Sequence, residues 1–203
     1  MDRFSSSGQS ILVVVVTVEQ TSQSVREMSA SVVVNGGTSL IQVGGETRTE
    51  MFPSSVLSGL DLSSPSSVSQ ARFDPPLSLT EPGPGLVVRP LCLEDYDRGY
   101  LSLLSQLTSV GEISREQWEA RWHQMRDCNS TYYVLVVEDR SLARLVGAAT
   151  LVRERKFIHG CGSVGRLEDV VVSDDYRGRQ LGKLLVTSAS LLAVKLGCYK
   201  VQI

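Results

Sequence analysis

A chain of 203 residues with a formal net charge of -2 has room for one ordinary domain plus extra sequence, or for two small domains. That charge balance argues against a nucleic-acid binder, which needs a basic face to neutralise phosphates. Cys92, Cys128, Cys161 and Cys198 stand singly, and His123 and His159 form no tight ligand cluster, so neither a disulfide scaffold nor a structural metal site is expected. Reduced, structural cysteines in a cytosolic protein are the plain reading.

Residues 1–85 read as a Ser/Pro-rich, mostly disordered extension. SSSGQS, SSPSSVS and PPLSLTEPGPG offer little large apolar surface to set against the entropy of ordering the chain. ILVVVVTV (residues 11–18) and SVVV (residues 31–34) have strand propensity, but an isolated hairpin is marginal. ILVVVVTV is far shorter than the roughly 20 residues that span a bilayer, and no transmembrane segment is expected. It also lacks the basic flank and cleavage site of a signal peptide.

From Leu86 the texture changes. LVVRPL (86–91) predicts a short strand closed by Pro90. The spacing of Tyr96, Tyr100, Leu103, Leu104 and Leu107 predicts a helix over 93–107. Ser114 and Gln117 form a capping-box signature that opens a second helix, with Trp118, Trp122 and Met125 as its apolar stripe. TYYVLVVED (131–139) and RLVGAATLVRE (144–154) read as a hairpin of two strands, and RLEDVVV (166–172) as a further strand. The segment 178–197 is the best helix in the chain. Leu181, Leu184, Leu185, Ala189, Leu192 and Leu196 lie down one side, and Gly197 is its C-cap. CYKVQI (198–203) is a last strand. This order predicts an α+β fold, a mixed sheet with helices packed on it.

The junction between strand 166–172 and the long helix carries the chemistry. The first amides of a helix have no intrahelical partner, and its field favours an anion. Gly178 and Gly182 permit close backbone approach, while Arg177, Arg179 and Lys183 add positive charge. Such a junction is either a solvated basic turn or a phosphate cradle. Neither a P-loop nor a dinucleotide fingerprint is present.

R-G-R-Q-L-G, residues 177–182, resembles the coenzyme A pyrophosphate loop of the GNAT acetyltransferase superfamily, Gln/Arg-x-x-Gly-x-Gly/Ala, with Gln180 in place of the first glycine. Its neighbourhood is more specific. RPLCLEDYDRGYLSLLSQLT, YYVLVVED, KFIHGCGSVGRLEDVVVSDDYRGRQLGKLL and LGCYK resemble, segment by segment, the animal glucosamine 6-phosphate N-acetyltransferases. FDPPL (73–77) is similar to the start of their short N-terminal region. The resemblance covers residues 86–203 and implies the GNAT-like acyl-CoA N-acyltransferase fold. It also implies acetyl-CoA as cosubstrate, no metal, and a cytoplasmic homodimer with peripheral association with endomembranes as a second placement.

The implied reaction is direct acetyl transfer to the 2-amino group of D-glucosamine 6-phosphate. It gives N-acetyl-D-glucosamine 6-phosphate and CoA, on the route to UDP-N-acetylglucosamine, without a covalent enzyme intermediate. By the same resemblance, Val170, Val171 and Val172 hold the pantetheine arm through their backbone, and Arg177, Gly178, Arg179, Gln180, Leu181 and Gly182 wrap the pyrophosphate. The sugar phosphate falls to Thr108, to Lys156, Phe157, Ile158 and His159, to Glu168, Asp169 and Val170, and to Tyr199 and Lys200, in a site shared across the dimer. Glu168 is the candidate for orienting the amine or accepting its proton. Read without the family, Lys156 is a surface lysine, His159 a loop histidine, Thr108 a helix-end residue and Val170–Val172 plain core strand.

The family continues past the CYK strand with a further helix and strand, so residues 86–203 are expected to be an incomplete domain with little turnover. Two other readings stand beside this one: an acetyltransferase for another amine, and a non-catalytic product that binds CoA or the full-length enzyme.

Overall fold

The computed structural model describes residues 15–17, 39–43, 46–62, 72–79 and 81–203. Six strands form one sheet: β1 (Val15–Thr17), β4 (Leu86–Pro90), β5 (Tyr132–Asp139), β6 (Arg144–Arg155), β7 (Ser163–Val172) and β8 (Cys198–Gln202). Their order is β1-β8-β7-β6-β5-β4. Only β7 and β8 run parallel, so the sheet is mixed, as expected. β2 (Ser39–Val43) and β3 (Glu46–Glu50) pair separately as an antiparallel ribbon.

The strands form where β-branched residues are dry on both faces. Val134, Leu135, Val136 and Val137 of β5 are all 0% exposed, which accounts for an apolar run without alternation. The helices are α1 (Tyr100–Leu104), α2 (Arg115–Asp127), the single turn α3 (Ile158–Cys161) and α4 (Leu181–Lys195). Helix α4 lies on one face of the sheet. A Cβ at Gly165 would stand 2.9 Å from Ala193 Cβ and 3.1 Å from Leu151 Cδ1, so this glycine sets how closely α4 approaches β7. Thr150 points to the other face, where it hydrogen-bonds Tyr100 of α1.

The capping box at the start of α2 forms as read: Ser114 N donates to Gln117 Oε1 at 2.9 Å, and Gln117 N donates to Ser114 Oγ at 3.3 Å. Trp118 and Trp122 are buried and Met125 half-buried, which makes the stripe core. Two expectations are corrected. The helix over 93–107 is broken into a 3₁₀ turn, Leu93–Tyr96, and α1, because Gly99 takes a left-handed conformation (φ 79) between them; Leu107 is left 45% exposed.

The extension is not all loose, either. Arg48, Glu50, Met51 and Phe52 are buried against the domain, and Phe52 meets Tyr133 edge-on at 5.1 Å. The physical reason is that Met51 and Phe52 add large apolar surface, while Arg48 meets a carboxylate from β5. The hairpin had a local signal, Gly44-Gly45 between two short runs. SVVV (31–34) lies outside the described residues.

Candidate active site

β7 is the strand on which the site is built. On one edge it pairs with β6, but the register slips between Ala148 and Thr150, so Asp169 and Val170 together oppose Ala149. Asp169 adopts φ 52 there, the left-handed conformation of a bulge whose first residue is ordinarily glycine. On the other edge, the parallel ladder with β8 covers only Ser163–Arg166. Among the described residues, 167–172 have no strand partner on that side. The backbone of Val170–Val172 therefore lies on an edge of the sheet among the described residues.

The chain leaves β7 through buried Ser173, turns once through Asp174–Tyr176, and enters α4 at Leu181. Gly178 takes φ 77 and Gln180 φ 60, and this pair of left-handed residues wraps the backbone round the helix start. The wrap encloses an open cavity of about 410 Å³ lined by Val172, Tyr176, Arg177, Gly178, Gln180, Leu181 and Gly182. A Cβ at Gly182 would meet only Val172 Cγ2, at 3.7 Å, so the cavity side of this residue is open. The sequence-derived loop residues thus converge on one hollow at a helix N-terminus, which is suited to an anion.

Two residues that sequence reasoning passed over hold this loop. Buried Tyr176 donates from its hydroxyl to Asp139 Oδ2 at 2.6 Å, and the Arg179 guanidinium lies 4.6 Å above its ring. Hydrogen bonds from Ser141 and from Tyr176 hold the Asp139 carboxyl below its usual range, and the same carboxylate pushes the Tyr176 phenol up. Arg177, by contrast, pairs with exposed Asp174 at 2.6 Å. The chain just beyond α1 reaches the loop as well, since Gln106 Oε1 accepts from Asp174 N at 3.0 Å; Thr108 follows, its N–H bonded to Leu104 O at 3.2 Å. Tyr176→Phe should cost about 1–2 kcal/mol of stability, the worth of a buried bond to a carboxylate with other donors remaining, as measured by urea unfolding.

The sugar-phosphate candidates fall into two groups. Glu168 and Asp169 are exposed at the bulge, beside Val170. Lys156, Phe157, Ile158 and His159 belong to a hairpin tip closed by Lys156 N to Gly162 O at 2.8 Å. In that tip His159, Gly160 and Cys161 are all left-handed. The His159 ring lies 4.1 Å from that of Tyr199, and Gly162 makes room for this packing, since a Cβ there would come within 2.8 Å of Tyr199 Cδ1. Lys156 is paired with Glu154, which also accepts from Arg166 Nε at 3.1 Å. Tyr199 and Lys200 flank the Ser163 end of β7. Ser163 and Glu168 are roughly 16 Å apart along the strand at about 3.3 Å per residue. One chain therefore does not bring His159 and Tyr199 to Glu168.

A mixed sheet with helices packed on it, in which β7 runs through a glycine-containing turn into helix α4, is the arrangement of the acyl-CoA N-acyltransferase class, and residues 97–203 match the family model described as the acetyltransferase (GNAT) family. A probable glucosamine 6-phosphate N-acetyltransferase of Drosophila melanogaster is 55% identical over 136 residues, covering 66% of this chain and 62% of that protein. Glucosamine 6-phosphate N-acetyltransferase 1 of Dictyostelium discoideum is 36% identical over 117 residues, covering 58% of this chain and 74% of that protein. The crystal structure of glucosamine-6-phosphate N-acetyltransferase from Arabidopsis thaliana superposes with a TM-score of 0.56 at 33% identity, over 57% of this chain and 79% of the other. The chain belongs to the GNAT acetyltransferase family and, within it, to the glucosamine 6-phosphate N-acetyltransferases. Among the described residues, no helix is long and apolar enough to cross a membrane.

Proposed function

We propose that the protein transfers the acetyl group of acetyl-CoA to the 2-amino group of D-glucosamine 6-phosphate, and that residues 86–203 form its catalytic domain. The observation that carries this reading is the cavity at the start of α4 beside the unpaired edge of β7. The loop Arg177–Gly182 fits a pyrophosphate: backbone amides and two left-handed residues face the hollow, with Arg179 stacked at its rim. The edge at Val170–Val172 fits an amide-bearing arm, which it would take as an added strand. When bound, acetyl-CoA supplies an activated acyl carbon and a thiolate leaving group.

The chain's own residues orient and bind. Glu168, exposed at the bulge, can hold the amino group of the sugar or take the proton that the nitrogen sheds. Thr108, two residues beyond the Gln106 that bonds Asp174, can add a hydroxyl. Lys156, His159, Tyr199 and Lys200 supply a phosphate's donors from the opposite end of β7, so a site using both groups needs two copies of the chain. The tip at Phe157 and Ile158, 97% and 61% exposed, supports such a homodimer, in which a neighbour covers it.

Direct attack by the amine needs no thioester on the enzyme, and the two buried cysteines are unsuited to forming one. Burial pushes the Cys198 thiol up from its ordinary value and the Cys92 thiol up to about 12, the wrong direction for a nucleophile.

The test is acetyl-CoA-dependent thiol release with glucosamine 6-phosphate, glucosamine and a polyamine as alternative acceptors. Turnover should require the phosphate, with kcat/KM lower by a hundredfold or more, roughly 2.7 kcal/mol, for the unphosphorylated sugar. Equal use of the polyamine would replace the sugar-phosphate reading by that of another amine.

A further inference from the structure

Gln180 does two separable things. Its backbone takes the left-handed conformation, φ 60 and ψ 11, that opens α4. Its side-chain amide reaches out of the loop to a segment 106 positions earlier: Nε2 donates to Asp74 O at 2.9 Å and to Pro75 O at 3.4 Å, while Oε1 accepts from Asp74 N at 3.2 Å. One primary amide thus satisfies both the donor and the acceptor of a single residue, as a neighbouring strand would. Lys183, one turn along, donates to the carbonyl of Arg72 and sets its ammonium 4.9 Å from the centre of the Phe73 ring. Both anchors belong to the helix start, and between them they hold four consecutive residues, Gln180 taking Asp74 and Pro75 and Lys183 taking Arg72 and Phe73.

The backbone role does not call for glutamine, since glycine takes this conformation at less cost. The amide is what glutamine adds. What it fixes beside the cradle is an aromatic ring that carries the Lys183 ammonium over its face. A ring and a cation so placed suit a nucleotide base and its phosphate.

We propose that Gln180 is a positioning residue that ties Arg72–Pro75 to the phosphate loop and makes this segment the wall of the coenzyme site at its nucleotide end. This inference rests on the coenzyme reading given above. The bond pattern itself is a property of the free protein and can be tested without ligand.

The experiment uses the full chain and Gln180→Gly, which keeps or relaxes the left-handed backbone and deletes only the clamp. In the free protein, hydrogen exchange of the peptide covering Arg72–Leu79 should speed up roughly tenfold in the variant, with exchange in α4 unchanged. Calorimetry with CoA should then give a Kd higher by about fivefold, the worth of one modest contact, and 4′-phosphopantetheine, which lacks the nucleotide, should bind both proteins alike. Phe73→Ala, which leaves the loop untouched, should reproduce the selective loss of CoA affinity. Unchanged exchange at 72–79 in Gln180→Gly overturns the clamp. Faster exchange with unaltered CoA affinity overturns the wall, and an equal loss for phosphopantetheine overturns its assignment to the nucleotide end. A wild-type chain that binds neither ligand overturns the coenzyme reading and this inference with it, whatever the exchange data show.

Discussion

Glu138→Ala should lower the unfolding free energy by about 3–5 kcal/mol, because it removes a carboxylate that buried guanidinium groups share. Arg89 Nε donates to Glu138 Oε2 at 2.7 Å, and Arg48 Nη1 donates to both carboxylate oxygens, at 3.0 and 2.9 Å. The side chains of Arg89 and Glu138 are 7% and 2% exposed. Asp95 takes the other side of Arg89 with two bonds of 2.8 Å, and Arg98 Nε stands 3.6 Å from Glu138 Oε1, so the alanine variant removes an acid shared by three arginines in a dry setting. Burial alone would raise the Glu138 carboxyl, but hydrogen bonds from Arg89 and Arg48 outweigh it and hold the group below the ordinary 4.5. A depressed folded value means that the contribution is complete above 4.5 and is lost as the pH falls through that lower value. The gap between wild type and variant should therefore narrow in acid. Urea unfolding at neutral and acidic pH measures both effects. A neutral-pH gap below about 1 kcal/mol, the range of exposed pairs, would show that the charges are hydrated.

Gly182→Phe should weaken coenzyme binding by tenfold or more, at least about 1.4 kcal/mol, whereas Arg179→Ala should cost only about two- to fivefold. The glycine borders the cavity and its missing Cβ would touch only Val172, so the fold tolerates a side chain there that the ligand does not. Arg179 is exposed, rests on Tyr176, and acts as one charge at the rim. Titration calorimetry with acetyl-CoA, alongside a thermal melt of each variant, separates lost binding from lost folding. A larger effect for Arg179 than for Gly182 would mean that charge, not the shape of the hollow, governs the site.

The cradle was legible because its parts are adjacent in the chain. A strand, a pair of permissive positions and a helix start within one short stretch need no distant partner to form, and helix amides point outward wherever the helix begins. The bulge at Asp169 was not legible. Asp is disfavoured in strands, but one within RLEDVVV does not by itself locate a bulge, and only the pairing of β7 with β6, read residue against residue, shows that one position too many is present. Tyr176 was in plain view within DDYRGRQ, yet its partner Asp139 lies 37 positions earlier. The same holds for Gln180, whose departure from the glycine pattern read as a weakened motif until its amide was seen on Asp74.

Hydrophobic periodicity and capping chemistry act over a few residues, so the sequence by itself determined the strands from Leu86 onward, the capped helix α2, the long helix α4 and the glycine-containing turn between β7 and α4. The tertiary structure alone decided which distant residues meet. It placed Arg48 on Glu138 across 90 positions, and Gln180 on Asp74 across 106. It also set His159 beside Tyr199, away from Glu168. A polar side chain finds its partner through the register of strands and the closing of long loops, and neither quantity is written in any local window of the chain.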